Sequence, residues 1–166
     1  RSFLEEKSQA PKTITLAIVN EPFGEQQIDP ATLASASALD AAAPIGKSIV
    51  IDISEQRLTA FEEGKVVNTF LISSGLPGYE SPRGSFTLGS RVYSKWYRGT
   101  NRDGSYWSYP NTLYNMNITG PYWLHGAYWH NNFGKKMSHG CVNVAYSNAE
   151  WLWNWNHAGL PITIQE

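Results

Sequence analysis

The chain has 166 residues, a mass of 18.6 kDa, a net charge of −1 at neutral pH and only 16% charged residues. That length suits one domain with an appendage, and such a domain buries roughly 70% of its unfolded surface without needing disulfide staples. The balanced charge supplies no field to steer the protein to nucleic acid, and no apolar run of about 18 residues is present to span a membrane. Hydrophobic residues make up 42%, with seven Trp and nine Tyr. A surface so low in charge and rich in aromatics suits glycans or uncharged peptides better than polyphosphates. The single cysteine permits no internal disulfide, so it is an inert buried residue, a reactive thiol or a ligand. The chain begins at Arg1, not Met, and shows no signal-peptide pattern, so an N-terminal segment is expected to have been removed or left out.

Residues 1–44 differ from the rest. A polar lead-in runs to Lys12, and the β-branched stretch 13–19 reads as a strand. Asp29-Pro30 has the look of a helix start, with Asp as N-cap and Pro at the first helical position. The Ala-rich segment 31–43 that follows is a short helix or a linker, closed by Pro44. No catalytic side-chain set lies in this part, which reads as an N-terminal extension to a domain at 45–166.

From Lys47 the pattern is β. Ser48–Ser54 alternates, Arg57–Phe61 follows a short turn, and Val66–Ile72 returns after the hairpin turn Glu62-Glu63-Gly64-Lys65. The adjacent acids at that turn read as a solvated tip, since neighbours on a strand point opposite ways. Gly75-Leu76-Pro77-Gly78 and Ser81-Pro82-Arg83-Gly84 mark a loop, without the Lys-Ser/Thr ending or the following helix of a phosphate cradle. Ser85–Leu88 is a short strand. Arg91–Tyr114 interleaves aromatics with bases (Tyr93, Lys95, Trp96, Tyr97, Arg98, Arg102, Tyr106, Trp107, Tyr109) and reads as a loop covering a substrate, with many of its aromatics packing on the body of the fold. Strands are expected at Leu113–Ile118, Pro121–His125 and Val142–Val144. Ser147 to Glu150 has capping-box spacing, so a helix is expected from Ser147 through Trp151, Leu152 and Trp155 to Gly159. Pro161–Ile164 closes the chain as an edge strand, where a leading Pro is tolerated.

The chemistry-bearing side chains crowd together. Three of the four histidines, His125, His130 and His139, fall with Cys141 in 17 residues. A cysteine attacks as its thiolate and needs a basic or cationic neighbour at neutral pH; a histidine in reach takes the thiol proton and later delivers it to a leaving amine. A third group must orient the imidazole, and a backbone carbonyl serves as well as a carboxylate. Gly140 allows a tight turn that aims main-chain amides at one point, as an oxyanion hole requires. A metal site from the three histidines and Cys141 is the competing reading, but its spacing is not an established zinc pattern. His130 competes with His125 as base; His125 is preferred because a strand end is a more rigid mount.

Ser138-His139-Gly140-Cys141-Val142-Asn143, preceded by His125-Gly126, resembles the L,D-transpeptidase catalytic (YkuD) domain family, whose pattern is His, a spacer, then Ser/Thr-His-Gly-Cys. Residues 49–58 look like the family's opening strand pair, and 66–75 with Ser81–Phe86 like its "ST-G…TP-G-F" segment. The likeness covers roughly residues 46–166. The spacer, residues 126–137, is short for the family, and Asn143 stands where many members carry Arg.

The resemblance implies a mostly β fold, a sandwich with a groove over the cysteine and a short C-terminal helix. It implies peptidoglycan chemistry outside the cytoplasm, in the cell envelope. Cys141 would be the nucleophile and His125 the base and acid, with the Gly126 carbonyl orienting the imidazole. His139 and Gly140, with the Cys141 amide, would shape the oxyanion hole, and Ser138 would fix the loop. Tyr122, Trp123, His130 and Asn143 are candidate substrate contacts. The partners implied are peptidoglycan stem peptides, donor and acceptor, with carbapenem β-lactams as inhibitors; no cofactor or metal is implied. An L,D-carboxypeptidase shares the acylation half of this reaction, and a non-catalytic wall-binding module with a sluggish thiol is the alternative of a different class.

Overall fold

The computed structural model describes residues 46–166. The expected strand at 13–19 and the Ala-rich segment 31–43 lie outside the described residues.

Period-two alternation builds the first hairpin. Strands β1 (Lys47–Asp52) and β2 (Arg57–Glu62) pair antiparallel, with Ile49 opposite Ala60 and Ile51 opposite Leu58. All four of these side chains are buried. Glu63 and Gly64 both take positive φ (50° and 73°) in the turn to β3 (Lys65–Ser73), the backbone that matches the twist of a two-residue hairpin. At the strand end Glu62 accepts a hydrogen bond from Trp155 Nε1 at 3.2 Å.

The remaining elements are β4 (Gly84–Thr87), β5 (Arg91–Thr100), β6 (Tyr106–Thr119), β7 (Tyr122–Gly126), β8 (Val142–Val144), one helix α1 (Tyr146–Trp155) and β9 (Pro161–Gln165). The strand order is β4-β9-β1-β2-β3-β8-β7-β6-β5. The sheet curls into a sandwich because β3 serves both halves. Residues 65–71 pair with β2, whereas Ile72 and Ser73 pair with β8. The two halves therefore share one core, in which Ile49, Ile51, Leu58, Ile162 and Ile164 of one meet Met116, Leu124, Val142 and Val144 of the other. Each of these fully buried side chains contributes about 2 kcal/mol of hydrophobic stabilisation. The helix packs on β6 and β7 and adds Ala149 and Leu152 to the core.

Three sequence expectations are corrected here. The helix starts one residue before Ser147, with Ala145 as N-cap and no side-chain cap bond. Tyr146 is drawn into the first turn because its ring packs against the Cα of Gly126, where a Cβ would meet Tyr146 Cδ1 at 2.3 Å. A side-chain cap is worth about 1 kcal/mol, less than the burial of an aromatic ring. The helix also ends at Trp155, short of Gly159. Its last carbonyls are met by cations: Lys47 Nζ donates to Trp155 O at 2.9 Å, and Arg91 donates to the carbonyls of Trp153 and Asn156. Finally, β9 is not an edge. It lies between β4 and β1, and Pro161 is tolerated because it opens the strand, one residue before the pairing with β1 begins at Ile162.

The aromatic strip 91–114 is a β-hairpin rather than a loop. Strands β5 and β6 pair from Arg91 opposite Met116 out to Thr100 opposite Tyr106, with an irregularity at Lys95–Tyr97. Its tip is pinned to the loop after β3: Arg102 N donates to Tyr79 Oη at 3.0 Å, and Arg102 Nη2 to Gly78 O at 2.9 Å.

Candidate active site

Two adjacent strands carry the site. β7 ends in His125-Gly126, β8 begins immediately after Cys141, and the two pair in parallel with Leu124 opposite Val142 and His125 opposite Asn143. Neighbouring strands lie about 4.8 Å apart. Residues distant in sequence thus reach one cavity of about 290 Å³, whose wall includes His125, Cys141, Ser138, His139 and Asn143.

His125 is only 2% exposed. Its Nδ1 lies 3.0 Å from the carbonyl of Gly126. A carbonyl only accepts, so Nδ1 carries the proton and Nε2 keeps its lone pair. Tyr97 stacks on the imidazole at 4.6 Å between ring centres, and is itself held by its hydroxyl donating to Asn115 Oδ1 at 2.9 Å. Trp129 tilts against the same ring at 5.8 Å.

The loop that presents Cys141 is tied from below. Ser138 N donates to Ser74 O at 3.0 Å, and Leu76 N donates to Ser138 O at 2.9 Å. Ser74 is held in turn by the buried Gln56, which accepts from its N–H at 2.8 Å and donates to its hydroxyl. Ser138 Oγ donates to the Cys141 carbonyl and accepts from Gly140 N at 3.1 Å. Gly140 has φ of 109°, and a Cβ there would lie 2.7 Å from Tyr122 Cε1, so no other residue fits without displacement.

Both reactive groups rest uncharged. Burial drives the His125 pKa down from 6.5 to about 4, against the Gly126 carbonyl and with help from the charges of Lys95 and His130. Burial pushes the Cys141 thiol up from 9.0 to about 11, although the Trp123 N–H and the Lys95 ammonium favour its thiolate. Burial opposes both charged forms, so both shifts run against moving the thiol proton to the imidazole at rest. The resting site is therefore thiol and imidazole, not an ion pair.

The chain matches the L,D-transpeptidase catalytic domain (YkuD) over residues 46–164. It belongs to that family. No curated protein is matched. Among solved structures it is similar to an L,D-transpeptidase from Mycobacterium smegmatis (26% identity, 72% of this chain and 58% of that one, TM-score 0.65). It is similar to L,D-transpeptidase 3 from Mycobacterium tuberculosis in complex with a faropenem-derived adduct (26%, 73% and 60%, TM-score 0.66). It is also similar to an L,D-transpeptidase in complex with imipenem (27%, 72% and 58%, TM-score 0.65). The chain spans less than two thirds of the length of these three structures.

Within this YkuD domain the sequence-derived candidates separate. His125, Ser138, His139, Cys141 and Asn143 line the cavity, whereas Tyr122, Trp123 and His130 are not part of its wall. Tyr122 packs over Gly140, and Trp123 carries Lys95 Nζ at 3.5 Å from its ring centre. His130 is engaged elsewhere: Nδ1 accepts from Asn132 N at 3.2 Å, and Nε2 lies 3.2 Å from the Asn143 amide. The Gly140 amide is committed to Ser138, which leaves it no free hydrogen for an oxyanion. His139 holds the covering hairpin, with Nε2 2.6 Å from Asn101 Oδ1 and its ring stacked on Trp107 at 4.7 Å. No three His, Cys, Asp or Glu side chains come together at metal-holding distance among the described residues.

Four residues of the strip 91–114, Tyr97, Arg98, Trp107 and Tyr109, form the cover of the cavity. Of the others singled out there, Tyr93 packs on Tyr114 and Trp153, whereas Trp96 and Tyr106 are largely exposed. Pro121, Trp129 and Met137 also line the cavity, and for Pro121 and Met137 the sequence carried no signal. For Trp129 one existed: it lies four residues past His125, in the same aromatic run as Tyr128, and stacks on Tyr109 at 3.9 Å.

Burying a neutral His125 has a consequence for stability. Above pH 6.5 neither folded nor unfolded chain protonates this residue. Between 6.5 and about 4 only the unfolded chain does, so stability falls with pH; below about 4 both states bind the proton and the loss is complete. The expected loss is about 3 kcal/mol. His130 and His139 are also depressed by burial and act in the same direction, more weakly because solvent reaches them. Urea denaturation of the parent and of His125→Gln at pH 7 and pH 4 isolates the effect. The parent should lose about 3 kcal/mol more than the variant; equal losses would contradict the burial of an uncharged imidazole.

Proposed function

We propose that this domain is a peptidoglycan L,D-transpeptidase that forms 3→3 cross-links through a Cys141 thioester. The observation that carries the reading is His125: uncharged, with its Nδ1 hydrogen committed to the Gly126 carbonyl and its Nε2 lone pair free, in the cavity that holds the family's cysteine. Family membership and the L,D-transpeptidase structures it resembles support it.

In this reading Sγ attacks the carbonyl carbon of the third stem residue. Because the ion pair is costly at rest, the thiol proton passes to His125 Nε2 as the C–S bond forms. The tetrahedral oxyanion meets main-chain donors of the His139 to Cys141 loop other than Gly140. The intermediate collapses with cleavage of the C–N bond, His125 returns the proton to the departing D-Ala amine, and a thioester remains. An amine of a second stem then attacks the thioester, loses a proton to His125 and releases the thiol. Carbapenems fit the same acylation step, as supported by the imipenem complex and the faropenem adduct of similar domains. The substrate places this work in the cell envelope. Since the resting thiol is protonated, slow alkylation at pH 7 does not mark the domain as a non-catalytic wall-binding module.

The test is product analysis by mass spectrometry with disaccharide-tetrapeptide muropeptides. The parent should yield a dimer lighter than two monomers by one D-Ala, and Cys141→Ala should yield none. Tripeptide without dimer would make the protein an L,D-carboxypeptidase, with water resolving the thioester. Turnover surviving in Cys141→Ala would overturn the mechanism.

A further inference from the structure

Arg98 stands at the mouth of the cavity on the outgoing arm of the hairpin, and no Asp or Glu shares the cavity wall with it. At neutral pH it is the one ionised side chain of that wall, because His125 and His139 are held neutral and the thiol is protonated. Among the described residues no carboxylate lies within ion-pair distance of its guanidinium. It is nevertheless held in place. Its Cζ lies 5.1 Å from the centre of the Trp96 ring, and Trp96 Nε1 donates to Ser108 Oγ at 2.8 Å, across the hairpin. A second cation without a carboxylate partner among the described residues, Lys95, sits behind the wall, over Trp123 and 5.3 Å from the centre of the Tyr97 ring. Two cations, aromatic walls and no acid give this cavity a positive potential in a chain of net charge −1.

We infer that the cavity contains a carboxylate subsite anchored by Arg98, which selects donor peptides that carry a free carboxylate near the scissile bond. The inference rests on the acyl-transfer reading above and names the substrate class. A guanidinium backed by an indole offers its planar fork to one ligand, and the geometry of that fork matches a carboxylate. A donor stem can supply the group from two sources: the C-terminus of the residue that leaves, or an acidic side chain on the third residue. The recognition chemistry is the same for both.

The test measures binding by calorimetry in the Cys141→Ala background, which separates recognition from turnover. The probes are a tetrapeptide with both carboxylates free, its C-terminal amide, and the same peptide amidated only on the third side chain. The free acid should bind about tenfold more tightly than one of the two amides. The amide that loses affinity identifies the source. Adding Arg98→Gln should erase the difference, and Arg98→Lys should restore part of it. Arg98→Gln weakening all three peptides alike, equal binding of all three to the Cys141→Ala protein, or no binding at all would each overturn the subsite. Its fate is separable from that of the function: Arg98-dependent binding without turnover by the intact protein would sink the acyl-transfer reading and leave the subsite standing. Turnover with no preference for the acid would do the reverse.

Discussion

His125→Gln should slow acylation of Cys141 by imipenem at pH 7 by about a thousandfold or more. With the thiol at about 11, only about one part in ten thousand is thiolate at pH 7 without a base. Gln has similar bulk and can keep a hydrogen bond to the Gly126 carbonyl, so the loss reads out the imidazole lone pair rather than collapse of the site. The pH dependence provides the signature. In the variant the acylation rate should climb close to tenfold per pH unit from 7 towards 10, as hydroxide replaces the missing base, while the parent rises less steeply. Loss of the β-lactam absorbance gives the rate, and the intact protein mass gives the extent. A variant within tenfold of the parent at pH 7 would remove His125 from the role of base and return attention to His130.

Gly75→Ala should cost about 4 kcal/mol of stability and cripple acylation as well. A Cβ at Gly75 would sit 1.9 Å from the carbonyl oxygen of Tyr79 and 2.9 Å from Ser81 N, both main-chain atoms that no rotamer change can move aside. The segment it displaces is connected on every side. Gly75 N donates to Ser81 Oγ at 3.0 Å, and Gly75 bridges to Ser138. Tyr79 packs edge-on against His139 at 4.7 Å and receives the Arg102 N–H from the hairpin tip. One methyl group therefore loosens both the loop that presents Cys141 and the anchorage of the cover. Gly104→Ala is the control: nothing lies within 4 Å of its Cβ, so only its φ of 85° opposes substitution, at about 1 kcal/mol. Urea denaturation that finds Gly75→Ala no worse than Gly104→Ala would show that the 75–81 loop gives way freely.

The sequence was most legible where one physical signal acted alone. Strands β1 and β2 place Ile49, Ile51, Leu58 and Ala60 two apart on the core face, β3 is an apolar and β-branched run, and their turns carry Gly or positive-φ positions. The hairpin of β5 and β6 was read as a loop because it stands away from the core. Tyr93, Trp96 and Tyr106 are 57%, 60% and 63% exposed, so no apolar face repeats along it. Spacing still carried the information: Lys95 and Tyr97 are two apart on one strand, Trp107 and Tyr109 two apart on the other, with Asp103-Gly104 in the turn. The helix ends were misjudged because tertiary contacts outweighed capping signals, through Tyr146 on Gly126 at one end and through Lys47 and Arg91 at the other. For the site, the crowding of three histidines with the single cysteine brought Cys141 and His125 to notice, and the likeness of the Ser138–Asn143 segment gave them roles. The side chains that surround them come from β5, β6 and the Trp129 turn, and no local pattern announces a neighbour that arrives from another strand.

The parallel pairing of β9 with β1 joins Ile162 to Ile49 and Ile164 to Ile51, almost the full span of the described chain. Synthesis delivers the second strand from the sheet's edge after all the other described strands. Until it arrives, β4 and one side of β1 remain open ladders, and Ile162 and Ile164 are missing from the core. Contacts of such long sequence separation slow the search for the native state to roughly milliseconds or longer. The five-residue strand β9 acts as a clasp that joins β4 to β1 and completes the core shared with the strands that carry the site.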